Sequence, residues 1–584
     1  MNFFLKINKL RVEDICDSMK TGGQSNNFRF QHWEKPIINE SKHGDIILWL
    51  GDIVLPKGYI NKNEYIQKIN NDFTYKKILE TKGIFYAIRF RRDTKSIEIM
   101  SSFCGILPIY YIEKNDFLLI SSNLKYLFEN INNKLEISQR YLVEKLLFNY
   151  PLTHKTIFKN IKRLPANSSL LVNKTAHVNK YYNSSSLIGT EALKYKNVIN
   201  KLTDCFIDHA RQYYPSNELF YLSFTSGFDG RTLLAIAINE KFKPITFSFG
   251  TKNYNDLYLP MAQVQKLNIT HKPFYLDSTN YLKSSLEFGK KLIEFSSGEA
   301  NFARAHYCFA ANELSKKSKY MITGNFGSEL FRAFHNTGVV CSKWLYRLFL
   351  DGLSKKLFNE LKTAPELKLI QDSIPNAIFE EIFDDLKEQE WMQKSKDLTL
   401  NQKFYIFVFD EMFRKYFGPE VTMQNNYLYN RTPFLDFSFI KELYKTDLGG
   451  AYNNFFENNL VKRFKGQVFY AYLIQKTSDL LYKMPTGKGY RPKDILTLSG
   501  KMNLLLGVIK KKMLKADQLL DPFAVNQAYL RNKHFYFNKK NIPNLFDFEN
   551  TEKLSPNIST NTLYHALSLN YYINYLNDQE YEKI

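Results

Sequence analysis

The chain has 584 residues, 44% of them apolar and 24% charged, and 80 Lys and Arg against 58 Asp and Glu give a formal net charge of +22. That length supports two or three domains with sizeable cores, and the composition is that of an ordinary globular protein. Five scattered cysteines (Cys16, Cys104, Cys205, Cys308, Cys341) exclude a disulfide framework and a zinc site by spacing, and fit a reducing cytoplasm.

The first residues, MNFFLKINKLRVEDICD, carry charges inside their apolar patch and do not read as a signal peptide. No apolar run approaches the ~20 residues that cross a bilayer, so the expectation is a cytoplasmic protein, soluble or peripheral. Residues 44–185 alternate short apolar runs (GDIILWLGDIVL, GIFYAIRFRR, SIEIM, PIYYIE, DFLLISS) with polar turns. Helical periods interrupt them near Asn63–Glu80 and Gln139–Leu147, which predicts an α+β domain with packed sheets. The Asn/Ser run Asn183–Leu187 reads as a linker.

Beyond it the period changes. Strand patterns at Leu219–Ser223, Ile245–Phe249, Lys272–Leu276 and Tyr320–Thr323 alternate with helical ones at Arg231–Glu240, Tyr258–Leu267 and Phe302–Leu314. Such alternation predicts βαβ units and a parallel sheet. From about residue 340 the pattern is mostly helical, and the tail after 545 is more polar. Basic residues collect late, at Lys462–Lys465, Lys483–Lys493, Lys510–Lys515 and Arg531–Lys540. They suit an anionic membrane face or an anionic substrate, and equally a solvated Lys-rich surface. No zinc-finger spacing, RNP-like motif or basic region with heptads is present, so nucleic acid is not expected as a partner.

The segment from Leu219 to Leu234, LFYLSFTSGFDGRTLL, places small residues where a strand ends and a helix begins. There, backbone amides and the helix N-terminus favour a phosphate. Asp229 repels a bare phosphate and makes sense with a divalent metal between the two. Read alone, the loop fits equally well a plain βα turn with an Asp near a helix cap.

TSGFDGR resembles the S-G-G-x-D-S loop of the ATP pyrophosphatase group. Further motifs follow in the order found in asparagine synthetase and its relatives. TFSFG (Thr246–Gly250) resembles the strand beside the adenine, and Asp256 the acidic start of the next helix. TGNFGSELF (Thr323–Phe331) resembles S-G-E-G-G-D-E-L-F, NRTPFLD (Asn430–Asp436) resembles V-R-V-P-F-L-D, and MPTGKGYRP (Met484–Pro492) resembles K-K-G-F-x-x-P. Upstream, GDI, GIFYAIRF, GILPIYY, SSNLKYL and TIFKNIKRLPA (Thr156–Ala166) resemble stretches of the family's glutaminase domain. The resemblance covers about residues 44–500.

It implies an α/β protein. An Ntn-type α+β sandwich (1–185) precedes a doubly wound, HUP-like parallel-sheet ATP pyrophosphatase domain (190–540) with a helical C-terminal part and an extension (545–584). It implies ATP bound by Leu222, Ser223, Thr225, Ser226, Gly227, Phe228, Asp229, Gly230, Phe247, Ser248 and Gly324. Mg2+ falls to Asp229, catalysis to Lys488, Asp229 and Glu329, and a substrate pocket to Asn325, Glu299, Arg304 and Arg431. Lys488 is the cation expected to stabilise charge in the adenylation transition state.

Two departures bear on function. Glutamine-using members carry a nucleophilic Cys after the initiator Met, where this chain has Asn2, which cannot supply a thiolate. β-Lactam synthetases and lasso-peptide cyclases share that loss. The family's Glu and Asp in S-G-E-G-G-D-E are replaced by Asn325 and Ser328, and neutral Ser is a poor magnesium ligand. Two expectations stand side by side. One is an amide-forming ligase that adenylates a small-molecule or peptide carboxylate and passes it to an amine, without glutamine hydrolysis. The other is a degenerate relative that binds nucleotide, or a homodimer or pathway partner, without turnover. A nucleic-acid-directed thiolation enzyme ranks last, because neither Cys205 nor Cys308 sits in a catalytic context.

Overall fold

The computed structural model describes residues 1–8, 28–114, 116–131, 135–173, 175–332, 340–393, 397–453, 460–500, 503–504, 521–537, 545–547 and 558–581; for 8, 460–464 and 579–581 only the backbone is described. The readings of Cys16 and of Lys510–Lys515 lie outside these residues. No described helix is long and apolar enough to cross a membrane.

Eleven short strands build the N-terminal domain. They are β1 (Asn2–Asn8), β2 (Phe28–Gln31), β3 (Ile37–Glu40), β4 (Ile46–Ile53), β5 (Gly83–Arg91), β6 (Ser96–Ser101), β7 (Tyr110–Glu113), β8 (Phe117–Ser121), β9 (Lys162–Arg163), β10 (Ser168–Val172) and β11 (Ala176–Lys180). Two antiparallel sheets result, in the orders β2-β1-β8-β7-β9 and β11-β10-β6-β5-β4-β3. Alternate side chains of both sheets meet in one core: Phe3, Leu5 and Ile120 from the first, and Leu48, Tyr86, Ile88 and Ile99 from the second. The outer face of the second sheet carries Trp49, Phe85 and Met100 under the helix Lys62–Asn71. This matches the expected sandwich. The apolar start of the chain, read only as unfit for a signal peptide, is β1, an inner strand of its sheet.

The Asn183–Leu187 run is no free linker. Ser184–Leu187 forms a 3-10 turn, with Leu187 buried and the Ser184 hydroxyl donating to Asp410 at 2.5 Å.

The second domain is organised by five parallel strands: β12 (Phe220–Ser223), β13 (Ile245–Gly250), β14 (His271–Tyr275), β15 (Tyr320–Ile322) and β16 (Tyr429–Arg431), in the order β14-β13-β12-β15-β16. The chain moves outward from β12 to β14, then returns to the other side of β12. The loops after β12 and β15 therefore diverge, and a crevice opens beyond their carboxyl ends. Helices Asp229–Asn239, Asn255–Leu267 and Ala305–Ser315 follow the predicted patterns to within a few residues. The region after 340 is helical as expected, apart from β16, which is too short to show a period.

Candidate functional site at the switch point of the parallel sheet

A cavity of about 230 Å³ occupies the crevice. From the first βα turn, Ser223, Thr225, Asp229 and Gly230 line it; β13 contributes Phe247 and Phe249, and the turn after β15 contributes Thr323, Gly324 and Asn325. Asp256, Tyr307, Gln424 and Phe523 complete the wall. No described lining residue carries a positive charge, whereas two carry carboxylates.

The geometry around Asp229 needs glycine. A Cβ on Gly230 would overlap the Ser223 carbonyl oxygen, and one on Gly324 would come within 2.5 Å of the Asp229 Cβ. The two loops can close on each other only because these side chains are missing. Asp229 is held from both sides: the Tyr470 hydroxyl donates to Oδ1 at 2.5 Å and the Ser328 hydroxyl to Oδ2 at 2.8 Å. Ser328 thus fills its place beside Asp229 with a neutral donor. Glu329 follows it, and burial, then the charge of Asp229, lifts its carboxyl to about 7. Carboxylate oxygens such as those of Asp229 and Glu329 are the hard donors that magnesium takes. Among described residues no cluster of three or more His, Cys, Asp or Glu forms a metal site unaided.

The rest of the Thr225–Gly230 turn is tied back. The Ser226 amide donates to Asp256 Oδ1 at 3.1 Å and its hydroxyl donates to the same oxygen, while Gly487 N donates to the Ser226 carbonyl. That last bond joins the loop to the late Gly-rich turn that carries Lys488, whose ammonium lies 5.3 Å from the centre of the Phe228 ring. Leu222 is buried in β12, and the Ser248 hydroxyl pairs with His271 Nε2 at 3.1 Å. Of the residues assigned to ATP, Ser223, Thr225, Asp229, Gly230, Phe247 and Gly324 face the cavity, whereas Leu222, Ser226, Gly227, Phe228 and Ser248 stand outside its lining.

Of the four assigned to the substrate pocket, Asn325 alone lines the cavity. Glu299 turns to the domain interface, where it accepts from Tyr110 at 2.7 Å and from Arg163 at 2.6 Å. Arg304 pairs with buried Glu420 and donates to the Tyr416 carbonyl at 3.0 Å. Arg431 donates from Nε and Nη2 to Asp52 of β4 at 2.7 and 3.0 Å. Each of these three charges is consumed by a buried partner, which leaves none to meet a ligand in the cavity. Sequence reasoning missed Tyr470, Tyr307, Gln424 and Phe523; of these, Tyr307 follows closely on Arg304 and Gln424 closely precedes NRTPFLD. Burial pushes the thiols of Cys104 and Cys341 well up and that of Cys308 up to about 12, far from a reactive thiolate.

Residues 64–183 match the family model of a glutamine amidotransferase domain. That match covers the greater part of the sandwich and begins beyond β4. No curated protein matches the chain. Among solved structures, an NMN synthetase from Francisella tularensis aligns at 15% identity and a TM-score of 0.20, covering 38% of this chain and 97% of that one. The fold is thus an amidotransferase-type antiparallel sandwich joined to a parallel α/β domain with its cavity at the switch point.

Proposed function

We propose that the protein is an ATP-dependent amide-forming ligase of the asparagine synthetase type that does not hydrolyse glutamine. The observation that carries this reading is the convergence of the TSGFDG turn and the Gly324–Glu329 turn on Asp229, in a cavity at the one place in an open parallel sheet where ligands gather. The match of residues 64–183 to an amidotransferase domain supports the same class of chemistry.

In this reading a substrate carboxylate oxygen attacks the α-phosphorus of ATP, the bond to the β-phosphate oxygen breaks, and pyrophosphate leaves. An amine nitrogen then attacks the acyl carbon, loses a proton, and AMP departs. Asp229, helped by Glu329, would hold magnesium, which would neutralise phosphate charge. Tyr470 and Ser328 orient the Asp229 carboxylate. Lys488, on its own turn beside Phe228, is the cation in this reading that meets negative charge as it develops, the kind of contact that contributes most in such sites when preorganised. Asn325 and Gln424 offer neutral hydrogen bonds to the acceptor. Gln424 is oriented by Asn430, whose amide donates to its Oε1 at 2.7 Å, and Asn430 in turn accepts from Thr323 at 2.8 Å. With no cation in the described lining, the substrate carries its reacting carboxylate and little further negative charge at this end.

ATP–pyrophosphate exchange across a panel of carboxylates tests the reading. Absence of exchange with every member, together with ATP binding indifferent to magnesium, would overturn it. Ser328 beside Asp229 supports a second reading, nucleotide binding without turnover, which predicts tight ATP binding and no exchange.

A further inference from the structure

Phe523 lies far along the chain from every motif of the site, yet it lines the same cavity as Asp229. It enters at the end of β13, where the Thr251 amide donates to the Pro522 carbonyl at 3.0 Å. There it joins an aromatic group. Its ring lies parallel to His306, with centres 5.1 Å apart, and its centre is 6.2 Å from that of Phe249 and 5.5 Å from that of Tyr254. His306 stays neutral, because burial and then the charge of Arg304 push it down to about 3. The wall is therefore flat, apolar and uncharged.

The placement is built, not incidental. Both Asp521 carboxylate oxygens accept from the amides of Val525, Asn526 and Gln527 at 2.6–3.1 Å, and Ala524 is buried at a φ of +53°. The helix that follows, Val525–Tyr536, lies on Thr279–Phe295, where Asn532 donates to Ser285 at 3.1 Å. Tyr564 of the helix Thr560–Tyr581 donates to the Val525 carbonyl at 2.9 Å. That last helix is pinned to the ligase domain by Phe302 N to Ser568 at 3.0 Å. It reaches the amidotransferase-like domain through Lys125 to Tyr575 at 2.7 Å and Asn561 to Asn149 at 3.1 Å.

We infer that Phe523, delivered by the Asp521–Tyr536 segment, forms the outer wall of a nucleobase subsite opposite the phosphate end marked by Asp229. A base is planar and apolar on its faces, so it stacks against an aromatic ring of this kind. The inference rests on the ATP reading of the cavity and adds that base binding depends on a segment outside the parallel sheet and its motifs.

The test is calorimetric titration of MgATP into the full chain and into F523A and F523W. The expected result is a Kd at least tenfold weaker for F523A, near-wild-type binding for F523W, and quenching of the added tryptophan by ATP relative to wild type. Unchanged or tighter binding by F523A would overturn the inference, since Phe523 would then be either irrelevant or a plug in the subsite. Should F523A fail to fold, the fluorescence decides: binding by F523W without quenching is equally fatal. If wild type itself binds no ATP, the ligase reading falls and this one with it, an outcome distinct from a selective failure at Phe523.

Discussion

Two buried regions of the molecule hold charge in opposite ways. At the interface between the domains several charges are paired: Glu299 with Arg163 and Tyr110, Arg304 with Glu420, Arg431 with Asp52, Lys415 with Glu411 at 2.5 Å, while the buried Arg414 guanidinium makes no hydrogen bond among the described residues. At the end of β12, Asp229 has only hydroxyl partners, and Glu329 beside it is lifted to about 7. Paired charges fix two bodies together, whereas neighbouring carboxyls with only Arg332 acting on them disfavour each other's ionised form. Motif resemblance cannot separate the two, because the same residue types serve both.

The sharpest way to break this comparison is D229A. It is expected to lower ATP–pyrophosphate exchange by about three orders of magnitude or more, with little change in thermal midpoint; loss of stability with exchange intact would reverse the assignment. K488A should reduce the exchange rate by roughly 10²–10³-fold while the KM for ATP changes less, with partial rescue by K488R. On the interface side the effect moves to stability. E299A leaves Arg163 buried without its carboxylate and should cost about 3–5 kcal/mol in denaturant titration, while the folded fraction keeps its exchange rate. An exchange defect exceeding the unfolded fraction would return Glu299 to the active site.

Smaller effects sharpen the acidic corner. Y470F removes one donor from Asp229, and magnesium-dependent ATP binding should weaken by about 1–2 kcal/mol, roughly 5–30-fold. The pH dependence has a definite sign. Glu329 keeps its proton in the fold to about pH 7 but would lose it near its ordinary 4.3 when unfolded, so its contribution to stability falls as pH rises through that window. Above pH 7 it ionises and offers magnesium a second carboxylate. Affinity for magnesium should therefore rise between pH 6 and 8, and E329Q should flatten that slope.

The sandwich, the parallel sheet and the tight turn after β12 were legible because period and glycine placement encode them locally. Gly230 and Gly324 sit where close approach demands them, and the motifs around them announce it. Tyr470 was not legible: it meets Asp229 across 241 positions, from a helix with no motif. Glu299 and Arg304 came to the pocket by resemblance alone, and nothing local says that β7 and β9 of the other domain lie against Glu299. The Ser-rich run at 183–187 looked flexible because its anchor, Asp410, is more than two hundred residues away.

Strand β16 carries a consequence of its own. Successive residues of a strand point to opposite faces. Asn430 holds the cavity residues Thr323 and Gln424, and Arg431, its neighbour, grips Asp52 of the other domain. One three-residue strand thus ties the cavity wall to the amidotransferase-like domain through two neighbouring side chains.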